Sequence, residues 1–407
     1  MIRKILRLQL HWQILIALIL SIFFGIFFPE YTHYVGWMGD LFLRALQMII
    51  VPLIFAAIVT GVSGMGNAEN LGRLGLKTIS YYMMTSLFAI LTGLILVNLI
   101  KPGIGADLGL QGEIEGLEVA GSFGETLMNI IPVNIVEAMM KADMLAIIFF
   151  AVLFGFFTTK VKNQFGEPIR DFFNGVFEVM MKITMFVIKF SPLGIFGIVA
   201  VIVGDNEGAL LSVFGRMGMY MITVILALSI HSMLTLPALM RLVGGANPVK
   251  HFRNMSVPLL TAFSTSSSNA TLPLSLEAVE KKSGVSNKTT GFVLPLGATI
   301  NMDGTALYEC IAALFIAQAY GIDLSIMQQA IVVITALLAS IGAAGIPMAG
   351  LVIITIILSA VGLPLEGVGL ILAVDRILDM FRTTVNVWSD SCGAVIIGKS
   401  EKEETFV

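Results

Sequence analysis

Apolar residues run through this chain in blocks of about 20, the length that crosses a bilayer as one helix, and short polar stretches separate the blocks. On that pattern we expect spanning helices near 10–29, 38–64, 76–100, 127–158, 171–203, 212–240, 289–319 and 364–398. Two further apolar stretches depart from the template. Residues 255–278 and 326–362 each consist of two apolar arms broken by a tip, Ser/Thr-rich in the first and Gly/Pro-rich in the second. Each reads as a re-entrant hairpin, since bare backbone at membrane depth is tolerated only where protein or a water-filled cavity satisfies it.

Composition agrees with an all-α polytopic membrane protein of eight transmembrane helices plus two re-entrant helical hairpins. Mean hydropathy is +0.93. Hydrophobic residues make up 57% and charged ones 13%, which excludes an ordinary soluble domain. A net charge of -3 offers nucleic acid no basic surface. Cys310 and Cys392 both lie in apolar segments, so neither a disulfide framework, nor a metal site of cysteine spacing, nor a redox cofactor is expected. The N-terminal run MIRKILRLQLHWQILIALILSIFFGIFF has the basic flank of a signal peptide. Its apolar part is long, and no small-residue cleavage pattern follows, so we expect a retained first helix.

Loop charges fix the expected sidedness. Arg3, Lys4, Arg7, Arg73, Lys77, Lys160, Lys162, Arg170, Arg241, Lys250, Arg253, Lys281, Lys282, Lys288, Lys399 and Lys402 fall on one side of an eight-span layout. That side should be the cytoplasm, with both termini in it. The loops at 29–37, 106–125, 204–208 and 321–325 lie opposite and hold almost no Lys or Arg. The two hairpins then enter from opposite faces, each followed by a full helix. This inverted repeat places substrate at the midplane between broken helices.

Candidate chemistry concentrates in the last span. At roughly 100° per residue, Asp375, Asp379, Arg382, Thr383, Asn386 and Asp390 share one helical face. Each mid-membrane charge costs roughly 2.5–3.5 kcal/mol on insertion scales, so such a stripe persists only if paired, hydrated or loaded with ligand and ions. Two arginines, Arg376 and Arg382, against three aspartates leave acceptors over for cations. In the seventh span, Pro295, Gly297 and Gly304 weaken the helix around Asn301 and Asp303, freeing carbonyls beside a buried acid that no lysine neutralises. That mixture of oxygens suits a hard monovalent cation such as sodium. The first tip, Thr265 to Thr271, offers hydroxyls and free backbone N–H groups to a small anion. The second, Ser340 to Pro347, offers carbonyls to a cation and glycines to a hinge.

The segments NMDGTALYE, SSSNATLP, ASIGAAGIP and LDMFRTTVNVWSD, with their spacing, resemble the dicarboxylate/amino acid:cation symporter family, which includes the glutamate transporters. The likeness runs from about residue 10 to 400. It implies an elevator-type transporter, a homotrimer in the plasma membrane (the inner membrane of a bacterium) in contact with lipid. Residues 1–70 (spans one and two) and 104–209 (spans four and five) would form the scaffold. Residues 71–103 (span three) and 210–407 would form the moving transport domain.

Residue by residue, the resemblance implies that Arg382 binds the substrate's side-chain carboxylate and Asp379 its amino group. Ser266, Ser268, Thr305, Ile346, Gly350, Thr383 and Asn386 would complete that pocket. A planar guanidinium matches a carboxylate bidentately, and a buried acid beside it suits an ammonium. The implied sodium sites are Gly297, Asn301, Asn386 and Asp390; Tyr82, Thr85, Ser86, Asn301 and Asp303; and Thr299, Ser340, Ile341 and Ala343.

The chain also departs from the family. Archaeal members carry an arginine in the first hairpin where Ser266 stands, and animal members carry it where Met380 stands; Arg376, one turn before, is the candidate to supply that charge. Glu309 resembles the animal glutamate associated with proton co-transport, a role that a permanent pair with Arg376 would abolish. The leading expectation is sodium-driven import of aspartate or glutamate, with proton co-transport open. The rivals are a C4-dicarboxylate symporter for succinate, fumarate or malate, and a proton-driven glutamate symporter. Asp379, which has no partner in succinate, favours amino acids. An intramembrane enzyme with Asp303 and Asp379 as its acid pair is the remaining reading, and no protease-type motif surrounds either residue.

Overall fold

The computed structural model describes residues 10–64, 72–105, 131–205, 210–342 and 349–407. Every regular element among them is helical. The chain begins with α1 (Leu10–Phe27), α2 (His33–Gly64) and α3 (Gly72–Ile100), close to the first three expected spans. The expected span at 127–158 is instead α4 (Ile135–Met140) and α5 (Met144–Thr158). Ala142 adopts a positive φ of 53° between them, and the Asp143 carboxylate caps α5 through the Ala146 N–H, so the chain turns where one continuous helix was expected. The span at 171–203 is likewise two helices, α6 (Asn163–Ile188) and α7 (Ser191–Asp205), bent by 51°. Pro192 has no N–H for the preceding turn and sits at that bend.

The second half follows the expected breaks closely. α8 (Leu210–Ile230) passes through a π-helical turn, His231–Thr235, into α9 (Leu236–Leu242). After the short α10 (Pro248–Asn254), the first apolar pair appears as α11 (Ser256–Thr265) and α12 (Ser268–Glu277). They are separated at Ser266, whose φ of 50° is left-handed, and Ser267 then caps α12 through the Ala270 N–H. The seventh span is broken into α13 (Asn287–Ile300) and α14 (Asp303–Ala319), with Asn301 extended at the break. The second pair is α15 (Ile326–Gly342) and α16 (Ala349–Ala360), and α17 (Val368–Ser400) closes the chain. In both pairs the arms pack against each other.

Among the described residues, four helical stretches are long and apolar enough to cross a membrane: His33–Ser63, Arg73–Ile100, Gly215–Leu242 and Asn287–Ala319. The bent α6–α7 pair makes a fifth. Helix α2 packs on α5, α6 and α7, and α7 also packs on α1. Around the other centre, α14 lies against α3 and α17, and α17 also contacts α11, α12 and α13. α14 is buried along nearly its whole length.

Polarity runs opposite to that of a soluble protein. Leu99 and Met233 are exposed at 73% and 72%, while Asp303, Glu309, Asn301, Asp390 and Arg382 are buried. That inversion suits a lipid exterior and a polar interior, where charges face one another rather than hydrocarbon. At one end of the molecule the C-terminal residues strap helices together. Glu401 pairs with Arg73 and Lys77, Glu403 accepts from Ser286 and Thr289, and the Phe406 carbonyl accepts from Lys250. The basic residues placed on one side by charge counting therefore include a group that the fold gathers.

Candidate substrate and cation site

Helix α17 carries its polar stripe into the interior beside the break between α13 and α14. Arg382 is 2% exposed. Its Nη1 lies 3.0 Å from Asp375 Oδ1, and its Nε donates to Asp379 Oδ1 at 2.9 Å. The guanidinium carbon stands 4.4 Å from the centre of the Tyr308 ring, an additional cation–π contact from α14. Gly350, near the start of α16, faces the same group, and a Cβ there would strike Arg382 Nη1. Only the missing side chain lets the second hairpin approach the arginine this closely.

Asp375 and Arg376, adjacent in sequence, do not pair with each other. Arg376, 44% exposed at its side chain, reaches Asp379 Oδ2 at 3.7 Å, while Asp375 serves Arg382. Successive residues point about 100° apart on a helix, so partners three and seven positions away lie closer than the next neighbour. Both arginines are thus engaged, and Asp390 is the aspartate of the stripe without one. Arg376 reaches Asp379 and does not pair with Glu309. Both Glu309 carboxylate oxygens are buried with no hydrogen-bond partner among the described residues.

The remaining predicted pocket residues divide. Asn386 accepts from the Gly304 N–H at 2.7 Å and donates to Thr305 Oγ1 at 3.1 Å, joining α17 to the first turn of α14. Thr383 is buried. Phe263 of α11 meets Phe381 edge-on at 5.1 Å, which packs the first hairpin on α17 one residue before Arg382. In the tip of that hairpin, Ser268 is half-buried, and the buried Ser266 hydroxyl has no hydrogen-bond partner among the described residues. Ile346 lies outside the described residues.

Most members of two of the three predicted cation groups come together. Asn301 donates to Asp390 Oδ1 at 2.9 Å, and Gly297 backs onto the same oxygen so closely that a Cβ would stand 2.5 Å from it. Ser86 donates to Asp303 Oδ1 at 2.6 Å, with Thr85 Oγ1 3.4 Å from Asn301 Oδ1. Tyr82, also fully buried, donates to the Val293 carbonyl at 2.6 Å. Carboxylates, amide oxygens and hydroxyls in that mixture fit a hard monovalent cation. No cluster of three His, Cys, Asp or Glu ligands occurs among the described residues.

Of the third group, only Thr299 and Ser340 have described side chains. Thr299 is exposed and turns its hydroxyl to the Leu296 carbonyl, and Ser340 turns its own to the Leu337 carbonyl. Each satisfies itself on its own helix. Nothing is described of the Ile341 side chain, and Ala343 lies outside the described residues. Asp303 and Asp379 also fail to make an acid pair: Asp303 is engaged by serines and a histidine, Asp379 by arginines.

Residue-type reasoning overlooked Tyr308, Ser389 and His231. Ser389 donates to Asp303 Oδ2 at 2.6 Å, and His231 Nε2 is 3.2 Å from the same oxygen. A histidine inside an apolar span was itself a signal, because ionisable residues at that depth are rare.

A helical protein with an apolar exterior, two broken hairpins and a buried set of charges between them has the architecture of a secondary transporter. Comparison with known proteins makes the assignment specific. The chain belongs to the sodium:dicarboxylate symporter family, whose model matches residues 10–400. It is 36% identical to excitatory amino acid transporter 3 of Mus musculus, over 98% of this chain and 87% of that one. It is also 36% identical to the proton/glutamate-aspartate symporter of Escherichia coli, over 98% and 94%, and to the proton/sodium-glutamate symport protein of Geobacillus stearothermophilus, over 97% and 95%. The family and these relatives are transporters rather than enzymes.

Proposed function

We propose that this chain imports acidic amino acids, aspartate or glutamate, by secondary symport driven by a sodium gradient. The observation that carries the reading is Arg382, a buried guanidinium held beside Asp379 and directly against Gly350 of the second hairpin. A substrate side-chain carboxylate would replace Asp375 on Arg382, and its ammonium would take Asp379. Ser266, Ser268, Thr305, Ile346, Gly350, Thr383 and Asn386 are proposed to shape the rest of the pocket. Sodium would be held at Gly297, Asn301, Asn386 and Asp390, and at Tyr82, Thr85, Ser86, Asn301 and Asp303. Thr299, Ser340, Ile341 and Ala343 would gather into a third site as the second hairpin closes. Coupling follows physically, since Asn301 and Asn386 join the cation ligands to the substrate pocket and each ligand orders groups the other needs.

The same reading assigns α11–α12 and α15–α16 as re-entrant hairpins within eight spans, with both termini cytoplasmic in the inner membrane. Spans three and six to eight would move with the hairpins, as an elevator, against a homotrimeric scaffold of spans one, two, four and five. The denser packing of α1, α2, α5, α6 and α7 on one another, and of α17 on α3 and α11–α14, supports it. Proton co-transport through Glu309 is part of the proposal, because a buried carboxyl without partners is better housed as the neutral acid. Counterflow in proteoliposomes with labelled aspartate and succinate tests the substrate class. Sodium-dependent aspartate exchange is expected, and succinate exchange indifferent to excess aspartate would transfer the assignment to dicarboxylates.

A further inference from the structure

His231 is completely buried, and its ring has one polar partner among the described residues, the Asp303 carboxylate. Its Nδ1 meets no hydrogen-bond partner. A ring present only to fill space is better replaced by leucine or phenylalanine, which bury no polar atoms. The single contact therefore needs its own account, and the backbone around it supplies one.

The π-helical turn His231–Thr235 places the histidine. In it the Leu236 N–H donates to the His231 carbonyl, five residues back, instead of to the Ser232 carbonyl, four back. Ser232's carbonyl is thereby released, and Trp388 Nε1 of α17 donates to it at 3.0 Å. Pro237, which lacks an N–H, follows at once and removes the next α-helical bond as well. The extra residue in the turn thus does two things: it aims His231 inward and fastens the turn to the helix that carries Ser389 and Asp390.

Asp303 is consequently gripped from three helices. Ser86 on α3 donates to Oδ1 at 2.6 Å; Ser389 on α17, at 2.6 Å, and His231, at 3.2 Å, both address Oδ2. An ionised carboxylate only accepts, so the shared hydrogen sits on Nε2. The histidine stands behind the acid as a fixed donor, the arrangement by which outer partners orient a cation's ligands.

We propose that His231 is a positioning residue for sodium: it holds the Asp303 carboxylate in its cation-binding orientation without touching substrate. The proposal rests on the reading of Asp303 as a sodium ligand.

The test titrates substrate-free protein in nanodiscs with sodium against choline at constant ionic strength, following tryptophan fluorescence. His231→Gln keeps a side-chain N–H donor, whereas His231→Met keeps volume and removes the donor. We expect the sodium midpoint of His231→Gln within about threefold of the parent and that of His231→Met raised about tenfold or more, with unchanged melting temperatures. A parent-like midpoint in His231→Met, or an equal shift in both variants, overturns the proposal. If His231→Met does not fold, His231→Asn, whose amide is too short to reach Oδ2, takes its place with the same expectation. Asp303→Asn separates the two ideas. If its midpoint does not move, the sodium assignment of Asp303 fails; if it moves while His231→Met stays at the parent value, only the role of His231 fails.

Discussion

Asp375 and Arg382 lie seven residues apart on one helix, with the carboxylate 3.0 Å from guanidinium Nη1 and both groups withdrawn from the surface. The atom best placed to grip a substrate carboxylate is already held by one. In Asp375→Asn the empty protein loses a charge partner that the loaded protein replaces with substrate. Removing one partner of a buried pair costs about 3–5 kcal/mol, less here because Asp379 remains. We expect a lower melting temperature without substrate and a larger aspartate-induced rise than in the parent. An unchanged rise, read by scanning fluorimetry, refutes the competition.

Arg382→Cys removes the counter-charge for a substrate's side-chain carboxylate. Aspartate affinity should fall about 100-fold or more, and small neutral amino acids such as serine should become substrates. Uptake of labelled serine and aspartate in proteoliposomes measures both, and parent-like aspartate affinity would remove Arg382 from the pocket.

Glu309→Gln should fold normally, because both carboxyl oxygens lack hydrogen-bond partners among the described residues and the amide matches the shape. If Glu309 carries a proton through the cycle, uptake in the variant should lose its dependence on pH between about 6 and 8 and on an imposed pH gradient. Retained proton-coupled uptake would assign the coupling elsewhere.

Glu401 offers a pH test outside the membrane spans. Hydrogen bonds from Arg73 and Lys77 pull its carboxyl down to about 2, from an ordinary value of 4.5. A depressed folded value means that the clamp contributes fully above the unfolded value and is lost as pH falls from there through about 2. Fluorescence anisotropy of a label near the C-terminus should therefore stay high down to about pH 4 and drop below it. Glu401→Gln should show lower anisotropy than the parent at neutral pH, where the Glu403 and Phe406 contacts remain. Because these groups are solvated, raising salt should shrink the difference between the two proteins.

The sequence already showed much of this arrangement. Hydrophobic block length placed most helices, and Ser266 and Asn301 fall where tip composition and the Pro295–Gly304 pattern put the breaks. What escaped depended on partners distant in sequence. Pairing of Arg382 with Asp375 rather than Asp379 alone is a matter of side-chain reach across two turns. His231 meets Asp303 through a π-helical turn that no apolar periodicity marks. The bend before α7 was foreshadowed by Pro192, but a single proline inside a long apolar block does not decide between a kink and a stop. Thr299 and Ser340 turn their hydroxyls to carbonyls one turn back, as threonine and serine in helices do, and sequence spacing cannot say when such hydroxyls face a ligand instead.

Pairing of both arginines also has an electrical consequence. Arg376 and Arg382 cancel Asp375 and Asp379, so Asp303 and Asp390, when ionised, leave the unloaded core two negative charges in excess. A membrane voltage acts on a moving charge with about 2.3 kcal/mol per elementary charge per 100 mV. If the core crosses the membrane as proposed, an interior-negative cell would push it, empty, back toward the outside after each delivery, and the resting potential itself would help reset the carrier.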